Sequence, residues 1–253
     1  SYEDVTLTTS GTLTIGTGGI GGTTEIQTVN LDGNSIVLKG NITTAATGEE
    51  AADVGDVDFD GAVTIEGDIT ITTDVGGTGN DGKIDFATNT INAAASGTNE
   101  LTLTSGAGTT TIDGAIGGST ALDALEINAS ALDINANITT ADGLIDINAP
   151  VTLTGASVIS SGTGGGNVDF SSTITGGQNL DILSGTGNVI ITGNIGATAL
   201  TSLDINQSGG SGNVTLSGNI GAHAASGAGI VRIGNNSMTG TLTFGGDDYN
   251  TTG

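Results

Sequence analysis

The sequence predicts an all-β fold, a single-stranded parallel β-solenoid, on three observations. A short apolar motif recurs along the chain, glycine and threonine fill the spaces between its copies, and no segment carries an apolar stripe of helical period. With φ for an aliphatic or aromatic residue, the motif is φ-x-φ-x-x-x-φ. It stands at Ile36-Leu38-Ile42, Val57-Phe59-Val63, Leu132-Ile134-Ile138, Ile145-Ile147-Val151, Val168-Phe170-Ile174, Val189-Ile191-Ile195 and Val214-Leu216-Ile220. Ile112-Ile116 carries it with Thr110 in the first slot, and copies stretched by one residue occur around Ile84-Phe86-Ile91 and Val231-Ile233-Met238.

Each element follows from residue chemistry. The φ-x-φ half alternates in the manner of a short strand with one face buried. The spacer is often a glycine between small polar residues, as in Asp60-Gly61-Ala62 and Ser217-Gly218-Asn219, which suits a sharp bend. A second alternating pattern lies between copies, at Leu101-Thr102-Leu103, Leu125-Glu126-Ile127, Leu180-Asp181-Ile182 and Leu203-Asp204-Ile205. The centres of successive copies mostly lie 20 to 28 residues apart, which suits one coil of two or three strands. The exceptions are the 17-residue step from Leu216 to Ile233 and the 13-residue step from Ile134 to Ile147, which places the latter two residues on different faces of one coil. A β-sandwich would call for longer strands and a core with more aromatics. One coil cannot bury its apolar side alone, whereas coils stacked at ~4.8 Å can. The expectation is one continuous domain over residues 1–253, of about ten coils and on the order of 50 Å long.

Composition narrows the function. The chain of 253 residues carries 27 Asp and Glu against three Lys and Arg, for a formal net charge of −24, so phosphate backbones would repel it. It has no cysteine, hence no disulfide framework, thiolate zinc site or cysteine nucleophile. No apolar run approaches the ~18 residues of a membrane helix, so membrane insertion is not expected. Ile, Leu, Val and Phe supply about 24% of positions and proline is almost absent, which favours folding over disorder.

The phrases Gly187-Asn188-Val189-Ile190-Ile191-Thr192-Gly193-Asn194-Ile195-Gly196 and Gly212-Asn213-Val214-Thr215-Leu216-Ser217-Gly218-Asn219-Ile220-Gly221 resemble the repeats of filamentous-haemagglutinin-type proteins. That family comprises large secreted bacterial proteins with right-handed β-helical shafts. The resemblance implies an extracellular or cell-surface fibre, often adhesive, with a right-handed coil. The family's secretion domain has an Asn-Pro signature, whereas the one proline here is Pro150.

Candidate chemistry is sparse. Asp56, Asp58, Asp60 and Gly61 match the opening of an EF-hand calcium loop, but its bidentate acid would fall at Gly67 and the glutamate is Glu66. The competing interpretation is a strand with Val57 and Phe59 inward and the three carboxylates outward. Gly76-Gly77-Thr78-Gly79-Asn80-Asp81 starts like a β-roll calcium repeat, yet Lys83 stands where an aliphatic is required. Aligned φ-Asp-φ copies would stack Asp58 on Asp85, Asp146 on Asp169 and Asp181 on Asp204. Like charges ~4.8 Å apart in water repel by only about 0.9 kcal/mol, so no cofactor is required and calcium enters as an optional stabiliser.

Parallel β-helices also serve as pectate-lyase-like enzymes. Lys39, Lys83 and Arg232 are scattered, aromatics are few and His223 lies among small residues, so catalysis is not expected. A Thr-x-Thr ice-binding array is broken, since none occurs between Ile174 and Ile233. Asn-x-Ser/Thr triplets at Asn41, Asn128, Asn137, Asn206, Asn213, Asn235 and Asn250 read as composition.

The ends are the informative part. Neither carries a capping helix, and the terminal coils 1–30 and 231–253, expected to make end-to-end contacts, hold strand-like segments with apolar residues, the second before a polar tail. The expected partner is a second copy end to end, with Val5, Leu7, Leu13 and Ile15 at one pole and Leu242 and Phe244 at the other. A segment of a longer surface shaft fits the same pattern. An adhesin segment whose side loops bind a host, matrix or polysaccharide ligand is the alternative.

Overall fold

The computed structural model describes residues 3–22, 26–44, 55–74, 81–221, 229–235 and 238–250. Its strands are all parallel and stack as a β-solenoid of about nine turns, with no helix among the described residues. At the inter-strand spacing this is a rod about 40 Å long.

Each coil contributes to three faces, and every face is a ladder of inward residues. On the first face Val5, Val29, Val57, Ile84, Thr110, Leu132 and Val151 stand in register. The second runs through Leu13, Ile36 and Val63 to Ile159, Ile182, Ile205 and Ile233. The third runs through Ile71, Leu103, Ile127, Ile147, Phe170, Ile191, Leu216 and Phe244. β-Branched residues suit such ladders because each packs on its like in the coil below. The result is one continuous aliphatic core, and burying each such side chain stabilises it by about 1.5–3 kcal/mol. Phe59 and Phe86 add a parallel ring stack, with centroids 4.6 Å apart and an interplanar angle of 9°.

The motif does not keep one corner. Val57-Phe59-Val63 turns from the first face to the second, whereas Val189-Ile191-Ile195 turns from the third face to the first. The change falls at the 13-residue step. Ile134 stacks between Ile112 and Leu153, while Ile147 stacks between Ile127 and Phe170, on different faces as expected. The motif centres therefore do not all lie on one ladder. Leu38 pairs with Ile65, and Phe59 lies over Leu31. Glycine-bent corners occur at more than one position round the coil, so the same short motif can turn any of them.

Thr-x-Thr triplets come into register on neighbouring coils at Thr70/Thr72 and Thr102/Thr104. The next rung carries Glu126 and Asn128, which interrupts the array.

Candidate functional site

The surface through which one coil holds the next has a repeating chemistry. In the phrase Gly-Asn-Val, valine enters the core and the other two residues act at the corner. At Gly187 and Gly212 the backbones touch so closely that an added Cβ would stand 1.9 Å and 1.7 Å from the carbonyl oxygens of Gly166 and Gly187. Only glycine fits there.

The asparagine then reaches across to the following coil. Asn167 Oδ1 accepts the Asn188 N–H at 2.9 Å, Asn188 Oδ1 accepts from Asn213 at 3.0 Å, and Asn213 Oδ1 accepts from Thr241 at 2.8 Å. At a second corner Asn194 Oδ1 accepts from Asn219, and Asn219 Oδ1 from Asp247, both at 2.9 Å. Asn41 and Asn137 hold Thr70 and Val158 in the same way. Inside the corner a buried hydroxyl closes the turn: Thr140 donates to Gly143 O at 2.8 Å, Ser161 to Gly166 O at 2.6 Å and Ser184 to Gly187 O at 2.7 Å. These backbone groups leave water on folding and need partners.

Asparagines 41, 137 and 213 lie within the Asn-x-Ser/Thr triplets, so the structure gives them a role that composition did not. Asn206, another of these, is fully buried. The signal was present in the sequence as an Asn following the bend glycine in several copies. Asn213→Ala is expected to cost about 1 kcal/mol, the usual net value of one such bond. Asn213→Asp keeps the acceptor and should cost less. Denaturant midpoints of the two variants check this.

The outward carboxylates stack as the spacing predicted. Asp58 pairs with Asp85, Asp146 with Asp169, and Asp181 with Asp204. Each of the chain's three cations lies on acid rather than apart. Lys39 Nζ is 2.7 Å from Glu66. Lys83 Nζ is 3.3 Å from Asp58, 3.9 Å from Asp56 and 4.0 Å from Asp85. Arg232 caps the Asp181–Asp204 ladder with two hydrogen bonds of 2.5 Å to the Asp204 carboxylate. Burial alone would lower the Lys83 ammonium, but Asp58, Asp56 and Asp85 together outweigh it and hold the group above its ordinary value.

The three candidate calcium ligands do not act alike. Asp58 and Asp60 point outward, Asp58 at the Lys83 ammonium, beside inward Val57 and Phe59. Asp56, expected outward, is buried. Its Oδ1 accepts the Lys83 backbone N–H at 2.8 Å, so the residue does the work of a corner asparagine. Among the described residues no group of three or more His, Cys, Asp or Glu is arranged to hold a metal ion. Of the loop opening at Gly76 only Asp81 is described, and it accepts the Ala107 N–H at 2.7 Å. Gly76–Asn80 and His223 lie outside the described residues.

The poles differ. At the N-terminal one Leu7 is exposed, while Val5 and Leu13 are half-buried. Ile15, expected as a pole residue, is instead buried in the core, in register with Leu38 of the next coil. At the C-terminal pole Ile230, Leu242, Phe244 and Tyr249 are exposed, the Phe244 and Tyr249 rings meeting edge to face at 4.9 Å. On the side of the rod, stacked corner loops form a groove lined by Ser160, Thr163, Leu183, Thr186 and residues 208–211. Set against known proteins, the chain matches no family model, no curated protein and no solved structure.

Proposed function

We propose that this chain is a structural, extracellular fibre protein: a β-solenoid that stacks end to end into a filament, or continues a longer surface shaft. One observation carries the proposal. Phe244 is 48% exposed although it heads the ladder on which Leu216 is 1% exposed and Ile191 is fully buried. An exposed aromatic on an otherwise buried ladder, with exposed Leu242 on the same strand, presents the coil-to-coil surface without its cover. A second copy offers the matching rungs, since Val5, Leu13 and Ile20 lead the same three faces. The net charge of −24 opposes side-by-side contact and leaves the poles as the favoured contact. The resemblance of the Gly-Asn-Val repeats to filamentous-haemagglutinin-type shafts supports the surface setting.

Sedimentation velocity tests this. The unmodified chain should give a weight-average mass that rises with concentration, and Phe244→Glu should return it to a single chain. A single-chain mass for both, at every concentration, would refute end-to-end association.

The alternative of an adhesin segment draws on the hydroxyl- and glycine-lined groove of the side loops. Glycan-array binding that Thr186→Trp abolishes, with sedimentation unchanged, would favour it over assembly.

A further inference from the structure

The third face carries Glu126, Asp146 and Asp169 on three successive rungs, in register. The same repulsive spacing occurs at Asp32 and Asp60, where both residues are exposed to water, and at two further places where a cation answers it: Lys83 beside Asp58 and Asp85, Arg232 on Asp204 above Asp181. Here none does. Asp169 stands between Asp146 on one neighbouring strand and uncharged Ile190 on the other. Its own-strand neighbours on the same side are Asn167 and Ser171, engaged with the Asn188 N–H and the Ile147 carbonyl. Beyond Asp146 the next group is Glu126, another acid, which accepts from Asn128 at 2.9 Å. The Oδ1 atom of Asp169 is buried and has no hydrogen-bond partner.

A buried, unpartnered carboxylate oxygen is costly while the group is charged. Protonated, the same group becomes a donor beside an acceptor, the Asp146 carboxylate on the adjacent rung. We propose that the Asp146–Asp169 pair takes up one proton in mildly acidic solution, which turns a repulsive step of the shaft into a hydrogen-bonded one and makes the solenoid acid-strengthened. The proton comes from solvent, resides on Asp169 and is donated to Asp146. No other bond changes. Burial, and then the charge of Asp146, hold the Asp169 carboxyl above its ordinary value. The folded state therefore binds this proton more tightly than the unfolded chain does. Stability is gained as pH falls through the raised folded-state value, and the penalty is fully present above it. The device rests on the ladder alone and is independent of filament formation.

The test compares thermal midpoints at pH 7.5 and 4.5 for the unmodified chain, Asp169→Asn and Asp133→Asn. Asp133 lies between Thr111 and Thr152, so its replacement removes one negative charge without touching an acid pair. Asp169→Asn is expected to raise the midpoint at pH 7.5 by about 2–4 °C and to shrink the gain on acidification. Asp133→Asn should keep the full gain. Equal behaviour of the two variants would overturn the proposal and reduce the effect to net charge, as would a lower midpoint for Asp169→Asn at both pH values. Should Asp169→Asn fail to fold, carboxyl-carbon NMR titration of the unmodified chain decides. Asp169 must titrate above the ordinary aspartate range, and titration within that range rejects the idea.

Discussion

Gly212→Ala is expected to destabilise the solenoid by about 3 kcal/mol, as a loss of thermal or denaturant midpoint. The added methyl would stand 1.7 Å from the Gly187 carbonyl oxygen, which is part of the neighbouring backbone and cannot rotate away. Relief requires the two coils to separate at that corner. Separation stretches the coil-to-coil bond that Asn213 N–H gives Asn188 and loosens the rungs at Val189 and Val214. The effect is local close approach and not glycine loss in general. At Gly177 an added Cβ meets nothing within 4 Å, so Gly177→Ala serves as the control and should leave the midpoint nearly unchanged.

Phe59→Ala should cost about 3–5 kcal/mol, the range for truncating a buried aromatic. Phe59 is 1% exposed and its ring lies flat on that of Phe86. Its removal leaves a cavity between Leu31 and Phe86 that an all-parallel ladder cannot collapse, because the strand spacing is fixed by backbone hydrogen bonds. Since each coil contacts only its neighbours, the damage should stay local. Hydrogen exchange should rise over Val57–Ile65 and Ile91–Ala93, while Val189–Ile191 and Val214–Leu216 stay protected. Uniform loss of protection along the rod would contradict solenoid energetics.

The fold was legible because a solenoid repeats its physics in every coil. The φ-x-φ alternation marks the buried side of each short strand, and the Asp between two φ residues must then face outward. Hence the stacking of Asp146 on Asp169 and Asp181 on Asp204 could be read from spacing alone. What spacing cannot give is the corner at which a motif turns. Coil length varies, from eighteen residues between Leu122 and Thr140 to thirty-two between Ile71 and Leu103. The surplus lies in loops whose lengths carry no periodic signal. The partners of Asn188, Asn213 and Asn219 lie one coil ahead, and so do those of Lys83 and Arg232 one coil behind, so variable coil length hid them. Asp56 illustrates the limit. Its place in an acidic run suggested an outward ligand, while its position at a corner made it a buried backbone acceptor.

The same coil-to-coil chemistry that holds the rod together is what the proposed filament extends. Leu242, Phe244 and Tyr249 present apolar rungs, and Val5, Leu7 and Leu13 offer the continuing ones. Electron microscopy of the unmodified chain over a range of concentrations is the most direct test. The account predicts rods that lengthen into unbranched filaments with a ~4.8 Å axial repeat. Uniform single rods of about 40 Å at every concentration would contradict it.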